Sequence, residues 1–560
     1  MAKDRMFWAD RYVELLKKRV ESEPILKSIV QDKGWICYDE KTPSGKIHIG
    51  SGRGWVIHDT VAKALRDAGL NGRFILSSDD MDPMDRLPSN DPETYSPFMG
   101  MSFRDIPSPR NGFKSYADFW FQEATSKFSD YGIQAELDST GAHYDNGDFN
   151  KTIKLALDNA EKIQEIYNRF YTTTKTQDLL PLKIVCPKCK KIGTTMALSW
   201  NPETEEVFFR CSEDFVDWAE GCGYEGSISP YNGNSKLPWK VEWAAKWPTI
   251  GVVFETAGKD HFSAGGSRDV AIAIAKEIFD YPPPFPSSYK KTKDGYKYKV
   301  GESYEFFNIG GAKMSTSKGK GFSFSGMRRY APGYIIKYLL VKTRPKTAID
   351  FDPSEDLERV YRDYDDMERK YFAAINDSNL LEKDDIFNAH RLFQLCSIGD
   401  IPDQLYPQIE FNFAVMLVQV TNSIDSAIER LKEKGFITQD LKQEGYDRIY
   451  NRLDFLKRWV KELAPDDKKI VLKMPSSNEL SETDKNVVQA FLDLIKVEKD
   501  ETNLLNGVKK IYSENSIGAK KFHDIVYTAL FGKPKGPRLI PYIQYAGTIE
   551  IINHLENLLS

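Results

Sequence analysis

The stretch that most constrains this chain is Pro43-Ser44-Gly45-Lys46-Ile47-His48-Ile49-Gly50-Ser51-Gly52. It lies between an apolar run, Trp35-Ile36-Cys37-Tyr38, and an amphipathic run over 55–70. In the second run Trp55, Val56, Thr60, Ala64 and Ala68 recur at helical spacing. A further apolar run, Arg73-Phe74-Ile75-Leu76, follows. Strand, glycine-rich loop, helix and strand make a βαβ unit. Gly45, Gly50 and Gly52 permit positive φ or close backbone approach. The N–H groups that open the helix suit phosphate, and the imidazole of His48 adds a donor at the same spot.

The second apolar run ends in Ser77-Ser78-Asp79-Asp80-Met81-Asp82, at the strand end where open α/β sheets bind ligands. These acids read either as a solvated turn or as a wall for a cationic substrate group or Mg²⁺. A second strand–loop–helix unit lies downstream. Gly251-Val252-Val253-Phe254-Glu255 reads as a buried strand. It leads into Gly258-Lys259-Asp260-His261, then Gly265-Gly266-Ser267 and a helix over 269–279. The two units fit one parallel nucleotide-binding sheet interrupted by a large insertion. Between them, 83–115 reads as a long loop, functional or disordered. A helix is expected over 115–128, a strand over 133–137 and one amphipathic helix over 153–170.

Within the insertion, Cys186-Pro187-Lys188-Cys189, Cys211 and Cys222 account for four of the chain's six cysteines. A CxxC turn lets two thiolates reach one tetrahedral ion. Six cysteines in 560 residues are too few for a disulfide scaffold. Structural zinc on Cys186, Cys189, Cys211 and Cys222 is the reading, with a redox CxxC or unconnected thiols as the alternative. Ten residues separate Cys211 from Cys222, so that half is a loop-spanned pair rather than a knuckle. Cys37 and Cys396 sit in apolar surroundings and read as core. Trp239, Trp243 and Trp247 share one helical face, and core packing is the reading for the last two. Lys290, Lys291, Lys293, Lys297 and Lys299 interleave with Tyr289, Tyr296 and Tyr298. That run either tracks an RNA backbone or forms a solvated hairpin.

Beyond about residue 355 helical periodicity dominates, over 357–373, 409–431, 446–463, 480–497, 504–512 and 519–530. Near the end, Gly532-Lys533-Pro534-Lys535-Gly536-Pro537-Arg538 is a basic turn that meets phosphate or merely joins two helices. Net charge is -5, so RNA contact would need local basic patches. No stretch approaches the ~18 apolar residues of a membrane span, and the charged start does not read as a signal peptide. A reducing, cytoplasmic setting is expected.

The loop PSGKIHIG resembles the HIGH signature of class I aminoacyl-tRNA synthetases. Lys313-Met314-Ser315-Thr316-Ser317-Lys318-Gly319, far downstream, resembles the KMSKS loop. In-line attack on an α-phosphate needs positioning and neutralised charge. Lys313 and Lys318 are cations on a serine-rich loop, and Ser315 and Ser317 can bond phosphate oxygens. Both motifs depart from pattern: Ser51 replaces the last histidine, and Thr316 the second lysine.

The match extends through TPSG…HIG, the DD.D acids, the cysteines, W..EWAAKW, FE..GKDH…GGS, YEF before KMSTSKG, and GKPKGPR. Together these resemble the archaeal-type class I lysyl-tRNA synthetases. The resemblance implies ATP-dependent charging of tRNA(Lys) with L-lysine, with Mg²⁺ accompanying the nucleotide. It implies an α/β fold: a Rossmann-type parallel-sheet catalytic domain in two halves (1–150 and 236–350), an inserted zinc-binding domain (151–235) and an all-α anticodon-binding domain (351–560). His48, Lys313 and Lys318 are the implied catalytic residues. Pro43, Ser44, Gly45, Gly50, Ser51, Gly265, Gly266, Ser315, Thr316 and Ser317 would join His48 and Lys313 around ATP. Thr42, Trp239, His261 and Tyr304 are lysine-pocket candidates, with Asp79, Asp80, Asp260 and Glu40 as the nearby acids for the ammonium or the α-amino group. Glu40 falls where the family tends to have glycine. No ligand set stands before Ser115-Tyr116-Ala117, where family members often carry a second cluster, so a single zinc is expected. A monomer is expected. The rival readings are a glutamate enzyme, which would want an arginine for the substrate carboxylate, a non-charging tRNA-binding paralogue, and a tRNA-free adenylate-forming enzyme.

Overall fold

In the computed structural model, residues 6–171, 180–263, 265–293, 295–313, 322–421, 423–475 and 480–560 are described. Helices α1 (Trp8–Ser22) and α2 (Pro24–Lys33) precede β1 (Trp35–Lys41), and α3 (Ile49–Asp67) carries the chain to β2 (Gly72–Ser78). Then come α4 (Pro92–Tyr95), α5 (Tyr116–Thr125) and β3 (Ala135–Ser139). Three helices follow, α6 (Thr140–Asp145), α7 (Asn150–Asp158) and α8 (Ala160–Phe170). The insertion holds β4 (Lys183–Ile184), β5 (Thr195–Asn201), β6 (Glu206–Cys211), β7 (Glu225–Ile228) and β8 (Ser235–Lys236). After it, α9 (Trp239–Lys246), β9 (Val252–Phe254) and α10 (Ser267–Glu277) complete the second unit.

β2 pairs with β1 in parallel, from Trp35 opposite Gly72 to Lys41 opposite Ser78. β3 adds in parallel outside β2, and β9 in parallel on the far side of β1. The order is therefore β3-β2-β1-β9. β2 is buried almost throughout, as expected of a parallel strand covered on both faces. Trp55 of α3 packs edge-on against Phe128 and Phe324 at 5.3 and 5.2 Å. Burying such a ring contributes on the order of 1.5–3 kcal/mol.

Several boundaries differ from the sequence expectation. α3 begins at Ile49, not near 55, because the His48 ring caps it: Nδ1 accepts from the Ser51 N–H at 3.3 Å. Of the three loop glycines only Gly45 has positive φ, at 153°. Gly52 lies inside the helix, where a Cβ would stand 2.0 Å from the Phe324 ring; close approach is its reason. Residues 83–115 are no disordered loop, since Met84, Tyr95, Met99, Phe103 and Ile106 form a small core with Tyr116. The helix expected over 153–170 breaks at Asn159 into α7 and α8.

β5, β6 and β7 form an antiparallel sheet, and β4 pairs with β8 where the insertion leaves and returns. Further on, β10 (Ser288–Thr292) and β11 (Gly295–Lys299) form a hairpin. β12 (Phe307–Ile309), β13 (Ala312–Lys313), α11 (Gly333–Lys342) and β14 (Ile349–Asp350) follow, with β12 central in a three-stranded sheet. On the hairpin, Tyr289, Tyr296 and Tyr298 are half-buried, and Tyr298 donates to Glu277 of α10 at 2.7 Å. Lys290, Lys297 and Lys299 are exposed.

The chain divides into two compact units. One comprises 1–327, 336–350 and 391–400; the other comprises 328–335, 351–390 and 401–560. After β14 the regular elements among the described residues are helical. They are α12 (Leu357–Asn376), α13 (Asp384–Cys396), α14 (Phe411–Val420), α15 (Ile424–Glu433), α16 (Gln443–Glu462), α17 (Glu482–Val497), α18 (Glu501–Glu514), α19 (Ala519–Phe531), α20 (Leu539–Tyr545) and α21 (Thr548–Leu559). The single helix expected over 409–431 is two, because Ser423 caps α15 by accepting from Ser426 N at 3.0 Å.

Candidate active site

β1 feeds β2 on one side through α3, while β9 returns on its other side. The strand order therefore reverses at β1, and a crevice opens outside the carboxyl ends of β1 and β9. The loop after β1 carries Thr42 to His48, and the loop after β9 carries Glu255 to His261. His58 ties α3 to the second loop. Its Nδ1 lies 2.8 Å from Gly54 O, and Nε2 accepts from Thr256 N at 3.2 Å. Burial pushes the imidazole down to about 4, so it stays neutral.

The flanks of the segment 314–321 are bound to the start of α3. Ile49 N donates to Phe322 O at 3.0 Å, and Phe324 N to Ile47 O at 3.1 Å, around a bridge between His48 and Ser323. Upstream, the buried guanidinium of Arg53 donates to Glu305 O and Thr347 O, each at 2.6 Å. β13, with Lys313, pairs with β12 through Asn308. His48 and the strand of Lys313 thus gather at one end of α3. Ser315, Thr316, Ser317 and Lys318 lie outside the described residues.

Tyr304 bridges to Gly258: its N–H donates to Ala257 O, and Lys259 N donates to its carbonyl, both at 3.1 Å. A Cβ on Gly54 would come within 2.7 Å of the Tyr304 hydroxyl and of Asp39 Oδ2, so glycine keeps that corner open. Burial pushes the Asp39 carboxyl well above the usual range. Trp239 stacks on Trp243 at 5.4 Å, and the His261 ring lies 5.4 Å from Trp239. Trp243 and Trp247 are core residues whose Nε1 atoms hold Glu255, at 3.0 and 2.8 Å; Arg268 pairs with the same carboxylate. Asp260 is exposed on the loop. Gly265 N donates to Asp269 at 2.8 Å, which fixes the start of α10.

Along α9 runs a buried network that the sequence reading only touched. Lys246 pairs with Glu40, with Glu242 at 3.1 Å and with Asp79 at 3.5 Å. Lys236 pairs with Glu242, with Asp82 at 3.2 Å and with Asp79 at 3.4 Å. Thr42 donates to Asp82 at 2.8 Å, and Tyr144 to Glu242 at 2.7 Å. Four carboxylates therefore share two ammonium groups. The side chains of Asp79, Glu242, Lys236 and Lys246 are at most 3% exposed, whereas Glu40 keeps 15% and Asp82 24%. Burial pushes Glu40 up to about 8, against the pull of Lys246. Burial and Asp79 push Asp82 up to about 6. Burial opposes ionised Asp79, but Lys236 and Lys246 hold its carboxyl below the usual range. Asp80 stands apart: it accepts from Ser139 Oγ at 2.6 Å and Gly141 N at 2.7 Å. Lys236, Glu242 and Lys246 were missed because a Glu–Lys pair four apart on a helix ordinarily faces water. The one signal was their place within the tryptophan stripe.

In the insertion the Sγ atoms of Cys186, Cys189, Cys211 and Cys222 lie within 4.8 Å of one another. Two of the separations are 3.6 and 3.7 Å. A tetrahedral ion with Zn–S of about 2.3 Å calls for edges of about 3.8 Å, so the thiolates fit it. The long Cys211–Cys222 spacing closes because the loop doubles back: Gly223 N donates to Cys211 O at 2.9 Å, and Gly221 lies where a Cβ would meet Ser212 O at 2.1 Å.

The family described as tRNA synthetases class I (K) matches residues 6–392. The chain is 29% identical to a lysine–tRNA ligase of Methanocaldococcus jannaschii, over 97% of this chain and 98% of that one. It is 31% identical to the lysine–tRNA ligase of Picrophilus torridus, over 96% and 99%. Among solved structures, a glutamate tRNA ligase from Elizabethkingia meningosepticum aligns over 94% of this chain and 99% of that one. Its TM-score of 0.44 and 10% identity are too low to carry an assignment.

Proposed function

The chain belongs to the class I tRNA synthetases of the K type, and from that premise we propose how its residues join L-lysine to tRNA(Lys) at the expense of ATP. Lysine's carboxylate attacks the α-phosphate, pyrophosphate leaves, and the lysyl-adenylate then passes lysine to the tRNA with release of AMP. The observation that carries the choice of amino acid is the network in which four carboxylates share two lysines. A cationic substrate relieves that excess, whereas a glutamate side chain adds to it. Of the four acids, Glu40 and Asp82 keep exposed surface, so they are proposed to receive substrate ammonium. Trp239, His261 and Tyr304 supply aromatic surface for the methylenes and the cation, and Thr42 positions Asp82.

Since His48 Nδ1 accepts from Ser51 N–H, a neutral ring carries its proton on Nε2. That N–H is proposed to donate to a phosphate oxygen over the start of α3, within the cradle formed by Pro43, Ser44, Gly45, Gly50 and Ser51. Lys313 and Lys318 would neutralise the leaving pyrophosphate, with Ser315, Thr316 and Ser317 as phosphate donors and Gly265 and Gly266 along the nucleotide. Mg²⁺ would enter with ATP and spread the triphosphate charge, since Asp79, Asp80 and Asp82 already have protein partners. One structural Zn²⁺ is proposed on the four cysteines; metal analysis should return one zinc per chain, and none would refute it. The helical 351–560 is proposed to bind the anticodon, and the protein to act as a cytoplasmic monomer. Among the described residues no helix is long and apolar enough to cross a membrane.

The test offers the purified chain all twenty amino acids with total tRNA and ATP. Esterified lysine is expected. Esterified glutamate would overturn the specificity, and no charging at all would overturn the activity.

A further inference from the structure

The helical unit holds two cavities of about 310 and 300 Å³. Both are lined by Pro537 and Arg538 of the turn 532–538 and by Glu410, Asn412 and Met416 at the start of α14, which together divide them. We infer that this pair of cavities holds one unpaired nucleotide of the tRNA, its base on the aromatic side and its phosphate on the basic side. The inference rests on the tRNA-charging reading above.

The turn is held far more firmly than a connection between helices requires. Gly532 closes α19 at φ 63°. Gly536 lies on the rings of Phe531 and Tyr527, where a Cβ would come within 2.6 and 2.8 Å. Tyr527 donates to Pro537 O at 2.5 Å, and Lys533 Nζ to Asp466 O at 3.0 Å. Such fixing leaves Lys535 and Arg538 exposed in set positions, with no ion pair among the described residues.

The two sides differ in chemistry. The first cavity is lined by Lys468, Lys469, Lys533, Lys535 and Arg538, against the acids Glu410 and Asp467. Glu410 is occupied in capping α14, accepting from Asn412 N and Phe413 N at 3.1 and 2.9 Å. Lys468 and Lys469 are paired with Glu358 and Asp466. The cations left for an anion are those of the turn. The second cavity is lined by Phe413, Phe436 and Tyr545, with ring separations of 5.6 and 5.1 Å, beside the Gln544 amide and Glu501. Phe436 is 41% exposed. The exposed ring of Phe436, backed by half-buried Phe413 and beside an amide that both donates and accepts, suits a splayed base, and an adjacent basic edge suits its phosphate. Each cavity lies at the lower end of the ligand-site range, about 300–1,000 Å³. That leaves room for one base and not for a larger cofactor.

The test uses the full-length protein and tRNA(Lys) transcripts, with affinity read directly by anisotropy so that it does not depend on charging. Phe436→Ala should weaken binding about tenfold, the size of one lost base stack, with unchanged melting. Lys535→Gln with Arg538→Gln should weaken it as well and lower the salt slope by about 2. Transcripts made abasic at one unpaired position after another should include one that costs the wild type about tenfold and costs Phe436→Ala nothing more. If Phe436→Ala binds as the wild type does, or if every abasic transcript behaves alike in both proteins, the base pocket is refuted. If the charge variant alone weakens binding, the turn holds backbone phosphate only, and the inference fails. A wild type that binds tRNA but esterifies no lysine would refute the charging reading and leave this comparison intact.

Discussion

The helical unit and the carboxyl end of the sheet bury ions in opposite styles. In the helical unit Arg452 grips Asp365 with two bonds of 3.0 and 2.6 Å, and Arg448 meets Glu368 at 2.6 Å. Two guanidinium groups face two carboxylates, and Arg452 also lies 4.7 Å from the Tyr361 ring. Planar forks matched one to one satisfy the charge and fix the helices. At the carboxyl end of the sheet, two lysines are shared among Glu40, Asp79, Asp82 and Glu242, and the count does not balance. A balanced pair serves the fold. An unbalanced cluster of point charges under a crevice stays short of cations until one arrives from outside.

The largest effect should come from breaking the balanced pair. Arg452→Met leaves Asp365 buried without its cation and should cost about 3–5 kcal/mol by urea denaturation. Less than 1 kcal/mol would mean that water reaches the pair. Next, Glu40→Gln removes the carboxyl group proposed to receive the substrate ammonium. Its proposed bond to the substrate is worth about 1.5–3 kcal/mol, so KM for lysine should rise roughly ten- to a hundredfold without loss of thermal stability. A variant that melts early with normal KM would make Glu40 a fold residue like Asp365.

The pH dependence sharpens the contrast. Glu40, raised to about 8, and Asp82, raised to about 6, bind more protons folded than unfolded. Their contribution to stability is full below the ordinary carboxylate range and is lost as pH climbs through those values. Unfolding free energy of the wild type should therefore fall between about pH 4.5 and 8 relative to Glu40→Gln, and saturating lysine should flatten the fall. The smallest effect belongs to His143, half-buried between Asp138 at 2.9 Å and Asp148 at 2.7 Å and pushed up to about 9, chiefly by its bond to Asp138. His143→Gln should cost about 1 kcal/mol or less near pH 7, and the difference should vanish as pH rises through 9.

Much of the sheet was legible because the letters at its turning points have few other uses. The apolar runs around Pro43–Gly52 specified two parallel strands, and Gly251-Val252-Val253-Phe254 a third. Four cysteines in one segment announced a thiol cluster able to hold one ion, through chemistry that does not depend on register. Helix limits were poorly legible, because caps decide them: His48 begins α3, and Ser423 begins α15 inside a run that looks continuous. The network was hidden for another reason. Glu242 and Lys246 acquire their meaning only when α9 packs on the face of the sheet that Glu40 and Asp79 share. Arg53 likewise reads as a surface residue until its five carbonyl partners, from Glu305 to Thr347, are seen around it.

The most direct measurement is calorimetric titration of the protein with lysine at pH 7 in two buffers of different ionisation enthalpy. With Glu40 raised to about 8 it is mostly protonated at that pH. Arrival of an ammonium group should expel up to about one proton per lysine bound by the wild type, and none of that release should remain in Glu40→Gln. Equal proton exchange in the two proteins would contradict the claim that the surplus carboxylates receive the substrate's charge.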